Sequence, residues 1–473
     1  IKLFDIHDDS KSEKSVSSGG RFLLNAKGDK MLLPRGRSAA IQNASAGASG
    51  KNVPTAGMMV RIDPRAEWKQ VYTDAWRIFR DYFYDPHIHG VDWQAVHDHY
   101  AAMIDHCASR EDVTFLIGEM IAEANVGHAY LQGNGDGAPP GPSVNVGMLG
   151  VDWEVHEGAY RIARIIRGAA WDADAISPLG MPGVDVSEGD YVLAVNGMPL
   201  STDEDPYVAF QGLAGREVVL TVSSKPSMDE EAREVIVKTI GNEGNLRMRA
   251  WIEKNRKYVE ERTGGRVGYI YVPDTGVNGQ NNLFRQFYGQ ALKDGLLIDE
   301  RWNGGGQIPT RFIELLNRPA TNYWATRGTQ DIHWPPDSHQ GPKAMLINED
   351  AGSGGDAFPH YFRQAGLGKL IGRRTWGGLV GISGNPALID GGRISVPTFA
   401  FYDNDGTWGI EGHGVDPDIE VMDDPAKMVD GGDPQLDAAI EHILGELERN
   451  GYQKPKRPAY PDRSGIGITE EDK

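Results

Sequence analysis

The chain has 473 residues, enough for two to four domains, with 40% hydrophobic and 24% charged residues and no apolar run near the roughly 20 residues of a membrane span. Its 67 acidic against 48 basic residues give a formal charge of -19, which repels phosphate backbones and argues against nucleic acid as a partner. A single cysteine, Cys107, excludes an intrachain disulfide and a multi-cysteine metal site, and neither a metal nor another cofactor is expected.

The sequence opens at Ile1 with neither an initiator methionine nor a leader pattern, which predicts a piece of a longer protein. Residues 1–60 alternate short strand patterns (2–4, 22–24, 31–33 and 58–62) with turn signals such as Lys27-Gly28-Asp29. This segment is similar to one hairpin of a propeller blade, and a lone blade cannot bury its own faces. Asp63-Pro64 supplies an N-cap and a proline at the first helical position, starting a helix that reaches about residue 84. Trp68, Val71, Tyr72, Ala75, Trp76, Phe79 and Phe83 recur at helical spacing and form one aromatic face.

Two more helices are expected at 93–107 and 110–124. His87-Ile88-His89 lies in a Pro/Gly turn without the partners a metal site needs, and His97, His99 and His106 read as a solvated helix face. In Asn125-Val126-Gly127-His128-Ala129-Tyr130 the helical pattern gives way to a strand. His128 at such a boundary can face a cleft, although a lone histidine there is ordinarily structural.

After a Gly/Pro-rich linker at 131–143 comes a β-rich module. Strands are expected at 147–153, 160–165, 191–195, 217–222 and 233–237, with a short helix near 207–213 and an Asn196-Gly197 hairpin. The run Gly189-Asp190-Tyr191-Val192-Leu193-Ala194-Val195-Asn196-Gly197 resembles the signature of PDZ modules built into bacterial proteases. That resemblance implies peptide binding by strand addition, with a structural spacer as the alternative.

The remainder alternates helix and strand: helix 247–261, strand 267–272, helix 281–293, strand 295–299, helix 309–316, then strands at 344–347, 369–372, 387–389, 394–401 and 408–410. A last helix at 434–447 should pack outside a sheet faced by helices. The strand at 344–347 runs into Asn348-Glu349-Asp350-Ala351-Gly352-Ser353-Gly354-Gly355-Asp356, placing Ser353 on a strand-to-helix turn. Flanking glycines permit a sharp turn, and unpaired N–H groups at the helix start could hold an oxyanion, which suits a nucleophile. A plain helix cap is the competing reading.

These motifs together resemble the tail-specific (C-terminal-processing) peptidase superfamily. Asp299-Glu300-Arg301-Trp302-Asn303-Gly304-Gly305-Gly306 is similar to its Asp-x-Arg-x-Asn-x-Gly-Gly element. The fold implied is α/β: a crotonase-like α/β core with an N-terminal helical subdomain and an inserted PDZ domain, preceded by a β-rich remnant of a propeller region. Domains would then span 1–60, 61–135, 144–240 and 245–450, with a tail at 451–473. Oxyanion donors are implied at Gly306 and Gly354.

Tail-specific members use a Ser-Lys dyad, but Thr375-Trp376-Gly377-Gly378 carries glycine where that lysine would stand, and Lys369 enters a strand. The Thr-Trp-Gly-Gly segment, Asn-Val-Gly-His-Ala-Tyr and Trp408-Gly409-Ile410-Glu411-Gly412-His413 instead resemble the tricorn group. This implies Ser353 as nucleophile, His128 as general base and Glu411 as supporting carboxylate, with His413 as a competing base. Serine precedes the histidine in that group; here Gly127 does, so the serine bridge to the carboxylate would be replaced by water or a direct contact.

The resemblance further implies oligopeptide substrates, a basic P1 preference, a homo-oligomer (hexameric in that group) and a cytoplasmic location. A peptide-binding homologue with weak catalysis and a Ser-Lys peptidase are the alternatives. An acyl-CoA enzyme of the same core is disfavoured because no phosphate-loop signature is present.

Overall fold

The computed structural model describes residues 1–4, 6–7, 12–18, 20–36, 38–55, 57–132, 141–429, 431–461 and 471. Most of the expected linker (133–140) and most of the tail beyond 461 lie outside the described residues. The chain divides into two units, Ile1–Trp68 and Lys69–Lys473.

In the first unit, strands Leu23–Leu24, Lys30–Arg35, Ser38–Asn43 and Lys51–Asn52 pair in sequence order as an antiparallel meander. Alternation sends Met31, Leu33, Ala40 and Gln42 to one buried face, and the register sets Met31 opposite Gln42 and Leu33 opposite Ala40. The strand expected at 58–62 does not form: Met59 is 97% exposed, and residues with strand propensity gain little without a partner to pack against.

The helical part runs through Pro64–Tyr82, Trp93–Ala101 and Arg110–Ala122. The aromatic face is buried from Val71 to Phe83, with Trp68 half-buried, and Trp76 and Trp93 exchange indole N–H to carbonyl hydrogen bonds at 2.8 and 3.2 Å. The second helix stops at Ala101 and is followed by a 3-10 turn at Ile104–His106. His97 departs from the solvated-face expectation, because its ring packs 4.8 Å from that of Trp76 and 5.4 Å from that of Tyr72.

The inserted module is an antiparallel sheet in the order Arg233–Lys238, Glu217–Ser223, Tyr191–Val195, Ala159–Ile165 and Val151–His156. In place of the short helix expected near 207–213 there is a 3-10 turn, Pro206–Phe210, whose Phe210 is buried among Leu149, Ile162, Leu220 and their neighbours.

The third part is a parallel sheet of Val267–Tyr271, Gly295–Asp299, Lys343–Ile347, Gly368–Gly372 and Ile419–Glu420, in sequence order. Its first three strands are buried throughout, which explains their near-continuous apolar character. Helices Val277–Phe287, Pro309–Leu316 and Gly354–Gln364 cover one face through Leu283, Phe312 and Phe358. Gly244–Arg262 and Pro434–Asn450 cover the other through Ile252, Val259, Ile440 and Ile443.

Beyond Gly372 the expected strands shrink. Residues 394–401 divide into Arg393–Ser395 and Phe399–Ala400, no strand covers 387–389, and 408–410 keeps one isolated bridge, Trp408 to Tyr402. Phe312 is fully buried with its ring edge-on to Phe358 at 5.5 Å, so Phe312→Ala should cost about 3–5 kcal/mol in urea unfolding. Phe115→Ala, at a 66% exposed position, should shift stability by less than about 0.5 kcal/mol in the same assay.

Candidate active site

The turns that follow the first four parallel strands converge at the carboxyl end of the sheet, the usual ligand edge of an open α/β sheet. Ser353 sits between strand Lys343–Ile347 and helix Gly354–Gln364 with φ 58 and ψ -113. A non-glycine residue held there is strained, a feature shared with the nucleophile turn of α/β hydrolases. Ser353 is also the N-cap of that helix: the Asp356 N–H donates to the Ser353 carbonyl at 2.9 Å, and the Ser353 N–H donates to Asp356 Oδ2 at 2.7 Å in capping-box fashion, so capping and a nucleophile's place on the turn coexist.

Gly304-Gly305-Gly306 lies directly against this turn. A Cβ on Gly305 would come 2.8 Å from Ser353 Cβ, and one on Gly354 would come 2.6 Å from the Gly306 nitrogen. The Gly305 N–H is taken by Asn303 Oδ1 at 2.9 Å, whereas the N–H groups of Gly306 and Gly354 donate no hydrogen bond within the described residues. The two amides expected as oxyanion donors are therefore both unpaired and adjacent.

Asp356 was not singled out by the sequence reading, yet it joins the nucleophile turn to the next loop. Its Oδ1 accepts the Thr375 hydroxyl at 2.5 Å and the Gly377 N–H at 2.7 Å. Burial pushes its carboxyl above the usual range, opposed by these hydrogen bonds. The Ser-x-x-Asp spacing, a capping-box signature, was the available signal. Thr375 Oγ1 in turn accepts the Val415 N–H at 2.9 Å, tying in the segment that carries Glu411.

His128 also has a left-handed backbone, φ 54, and is half-buried with its Nδ1 unpartnered. Its ring lies 5.4 Å from that of Trp376. The Trp376 indole is wedged so closely that a Cβ on Gly352 or Gly378 would strike it at 2.6 or 2.1 Å. Trp376 thus packs against both the serine turn and the histidine, and no hydrogen bond joins Ser353 Oγ to His128 among the described residues.

Glu411 reaches the segment before His128 through the main chain. Its Oε1 accepts the Gly127 N–H at 2.7 Å, and its Oε2 accepts the Leu379 N–H at 2.6 Å. Glu411 thus contacts the main chain beside His128 and not its ring, whose Nδ1 has no partner. Burial lowers the His128 pKa from its ordinary 6.5, while the Glu411 charge acts in the opposite direction. His413 is occupied elsewhere: its Nε2 pairs with Asp416 at 2.7 Å, and it lines a cleft of about 620 Å³ with Arg373, Arg374 and Trp376. Lys369 is 58% exposed and faces Asp418 at 3.6 Å.

Three family profiles match successive parts of the chain: the tricorn protease C1 domain over residues 64–122, the tricorn protease PDZ domain over 147–242, and peptidase family S41 over 266–421. Tricorn protease homolog 1 of Streptomyces coelicolor is 36% identical over 447 residues, 94% of this chain and 41% of that protein. The tricorn protease of Thermoplasma volcanium is 34% identical, over 83% of this chain and 38% of that protein.

The chain belongs to the tricorn protease family.

The crystal structure of the tricorn protease superposes with a TM-score of 0.84 at 29% identity, over 93% of this chain and 42% of that one. The chain therefore spans about two fifths of the length of the relatives it matches. Within it, the match to peptidase family S41 falls on residues 266–421, the segment that carries Ser353, Gly306 and Glu411.

Because all three donors to Asp356 require an acceptor, Asp356→Asn must turn an amide N–H toward at least one of them. Its expected cost is about 1–3 kcal/mol in equilibrium denaturation, with Ala357→Ser as a neighbouring control of smaller effect.

Proposed function

We propose that this chain hydrolyses peptide bonds of oligopeptides by acyl transfer through Ser353. In this reading His128 is the general base, Glu411 the supporting carboxylate, and the Gly306 and Gly354 N–H groups the oxyanion donors. The observation that carries the proposal is the pair of unpaired amides beside a strained serine turn, in a chain of a serine-peptidase family. Ser353 Oγ adds to the carbonyl carbon and its proton passes to His128, which returns it to the leaving amine. Water then hydrolyses the acyl-serine with the same histidine as base. Glu411 acts in two ways: its charge favours the imidazolium, and its grip on the Gly127 N–H holds the segment that presents the ring.

Kinship with tricorn proteases supports a homo-oligomeric working form and a cytoplasmic setting; no helix among the described residues is long and apolar enough to cross a membrane. A second reading, a peptide-holding homologue with slow turnover, is favoured by one observation. Both Glu411 oxygens are taken by main-chain N–H groups while His128 Nδ1 has no partner.

Labelling with a serine-reactive phosphonate and digestion of a peptide library separate the two. Ser353→Ala should abolish labelling and reduce hydrolysis by at least about a thousandfold. Absence of Ser353-dependent labelling and hydrolysis in the parent chain would favour the peptide-holding reading.

The pH profile supplies a further check. His128 must be neutral to accept the proton, so kcat/KM should fall as pH drops through a value below 6.5. Glu411→Gln removes the charge that raises this pKa and should move the acid limb to lower pH while reducing kcat about 10- to 100-fold. An unaltered profile and rate would remove Glu411 from the network.

A further inference from the structure

Thr275 lies in the turn after strand Val267–Tyr271 and has no exposed surface. Its main chain brackets the glycine turn: the Thr275 N–H donates to the Gly305 carbonyl at 3.0 Å, and its carbonyl accepts the Ile308 N–H at 3.1 Å. A Cβ on Gly306 would meet Thr275 main-chain atoms at 2.4 Å, so Gly306 is seated on this residue. The Thr275 side chain makes a second contact on the opposite amide. A Cβ on Gly354 would fall 1.9 Å from Thr275 Oγ1, which with a bond of about 1.5 Å leaves that oxygen no more than about 3.4 Å from Gly354 Cα.

That separation suits an oxygen but is shorter than the 3.5–4.0 Å preferred between two carbons. The hydroxyl also has no hydrogen-bond partner, so hydrogen bonding does not account for a threonine here. What the oxygen supplies is its small radius, which lets Gly354 settle against Gly306.

We infer that Thr275 is a positioning residue of the oxyanion hole, setting the separation of the Gly306 and Gly354 N–H groups through its main-chain bonds to Gly305 and Ile308, which flank the first, and its side-chain oxygen against the residue carrying the second; this rests on the acyl-transfer reading. When Ser353 Oγ bonds to the carbonyl carbon, the π pair moves onto the carbonyl oxygen and the serine proton moves to His128. When the C–N bond breaks, the pair returns and the amine departs with that proton. Thr275 exchanges neither proton nor electrons; it fixes the spacing of the two donors that meet the transient charge.

The test compares Thr275→Val with Thr275→Ser in the full chain. Valine places a methyl group where the oxygen touches Gly354, whereas serine keeps the oxygen and removes only the other branch. Thr275→Val should lower kcat on the order of tenfold to a hundredfold with KM within about twofold, because loss of one complete donor costs about a hundredfold or more. It should weaken a peptidyl trifluoromethyl ketone, which forms a tetrahedral hemiketal on serine, by a similar factor, and leave binding of a product peptide unchanged. Thr275→Ser should stay near the parent in all three.

A packing role alone predicts the reverse order, since valine preserves volume and removes an unpaired hydroxyl while serine opens a void. Parent-like kcat and ketone affinity in Thr275→Val, or losses in Thr275→Ser as large as in Thr275→Val, would overturn the inference. Ser353→Ala run alongside separates the two levels: full hydrolysis by that variant defeats the acyl-transfer reading itself, whatever Thr275 does.

Discussion

The arrangement of the site depends on how closely bare backbone can approach bare backbone. A Cβ on Gly354 would fall 2.5–2.6 Å from main-chain atoms of Gly306, and one on Gly306 would fall 2.4 Å from main-chain atoms of Thr275 and Gly276. No rotamer change relieves a clash with main chain, so these positions need glycine for space as well as for φ, which is 84 at Gly305 and 150 at Gly306. Because parallel strands deliver both turns to one edge of the sheet, register also matters. Pairing of Ile298 with Met345 and Asp299 with Leu346 fixes where each turn departs.

Around that contact, charged groups hold loops that packing alone would leave adjustable. Asp356 binds the serine turn to Thr375 and Gly377, and Glu411 binds the histidine segment to Leu379, so both carboxylates converge on the Thr375–Leu379 region. Trp376 fills the space between them. Below, the buried Arg301 is held bidentate by Asp299 and again by Asp433 at the start of the last helix. Such a group cannot lose one partner without leaving an uncompensated buried charge, which favours a single arrangement of the Asn303–Gly306 turn.

How far the sequence exposed this depends on the range of the interactions. Helix Pro309–Leu316 was legible to the residue because proline marks its start, and the Ser353 turn because glycines flank it between two clear periodic segments. The buried aromatic face of Pro64–Tyr82 followed from helical spacing. Asp356 escaped notice because its partners Thr375 and Gly377 lie 19 and 21 residues away, and Thr275 because its contact with Gly354 exists only in three dimensions. Residues 408–410 looked like a strand by composition, but only Trp408 finds a bridging partner. His97 looked solvated because sequence spacing does not reveal that Trp76 and Tyr72 approach from another helix.

The distribution of unsatisfied groups is the opposite of what stability alone would select. Thirteen buried side-chain polar atoms among the described residues lack a hydrogen bond, and five of them belong to His128, Thr275, Glu300 and Asn303, within or beneath the site. Burial, reinforced by the charges of Asp356 and Asp299, pushes the Glu300 carboxyl well above the usual carboxyl range. Each such group costs about 1–3 kcal/mol unless something offsets it. The main-chain amides of Gly306 and Gly354 follow the same pattern, being unpaired where their neighbours Gly305 and Ser353 are paired. A donor already satisfied in the resting state must break a bond before it can meet a developing charge, whereas an unpaired one held by rigid neighbours gains only when that charge forms. On the proposed acyl-transfer reading, local instability concentrated at these amides favours the transition state over the bound peptide, and the surrounding sheet, with its first three strands buried throughout, supplies the stability that tolerates it.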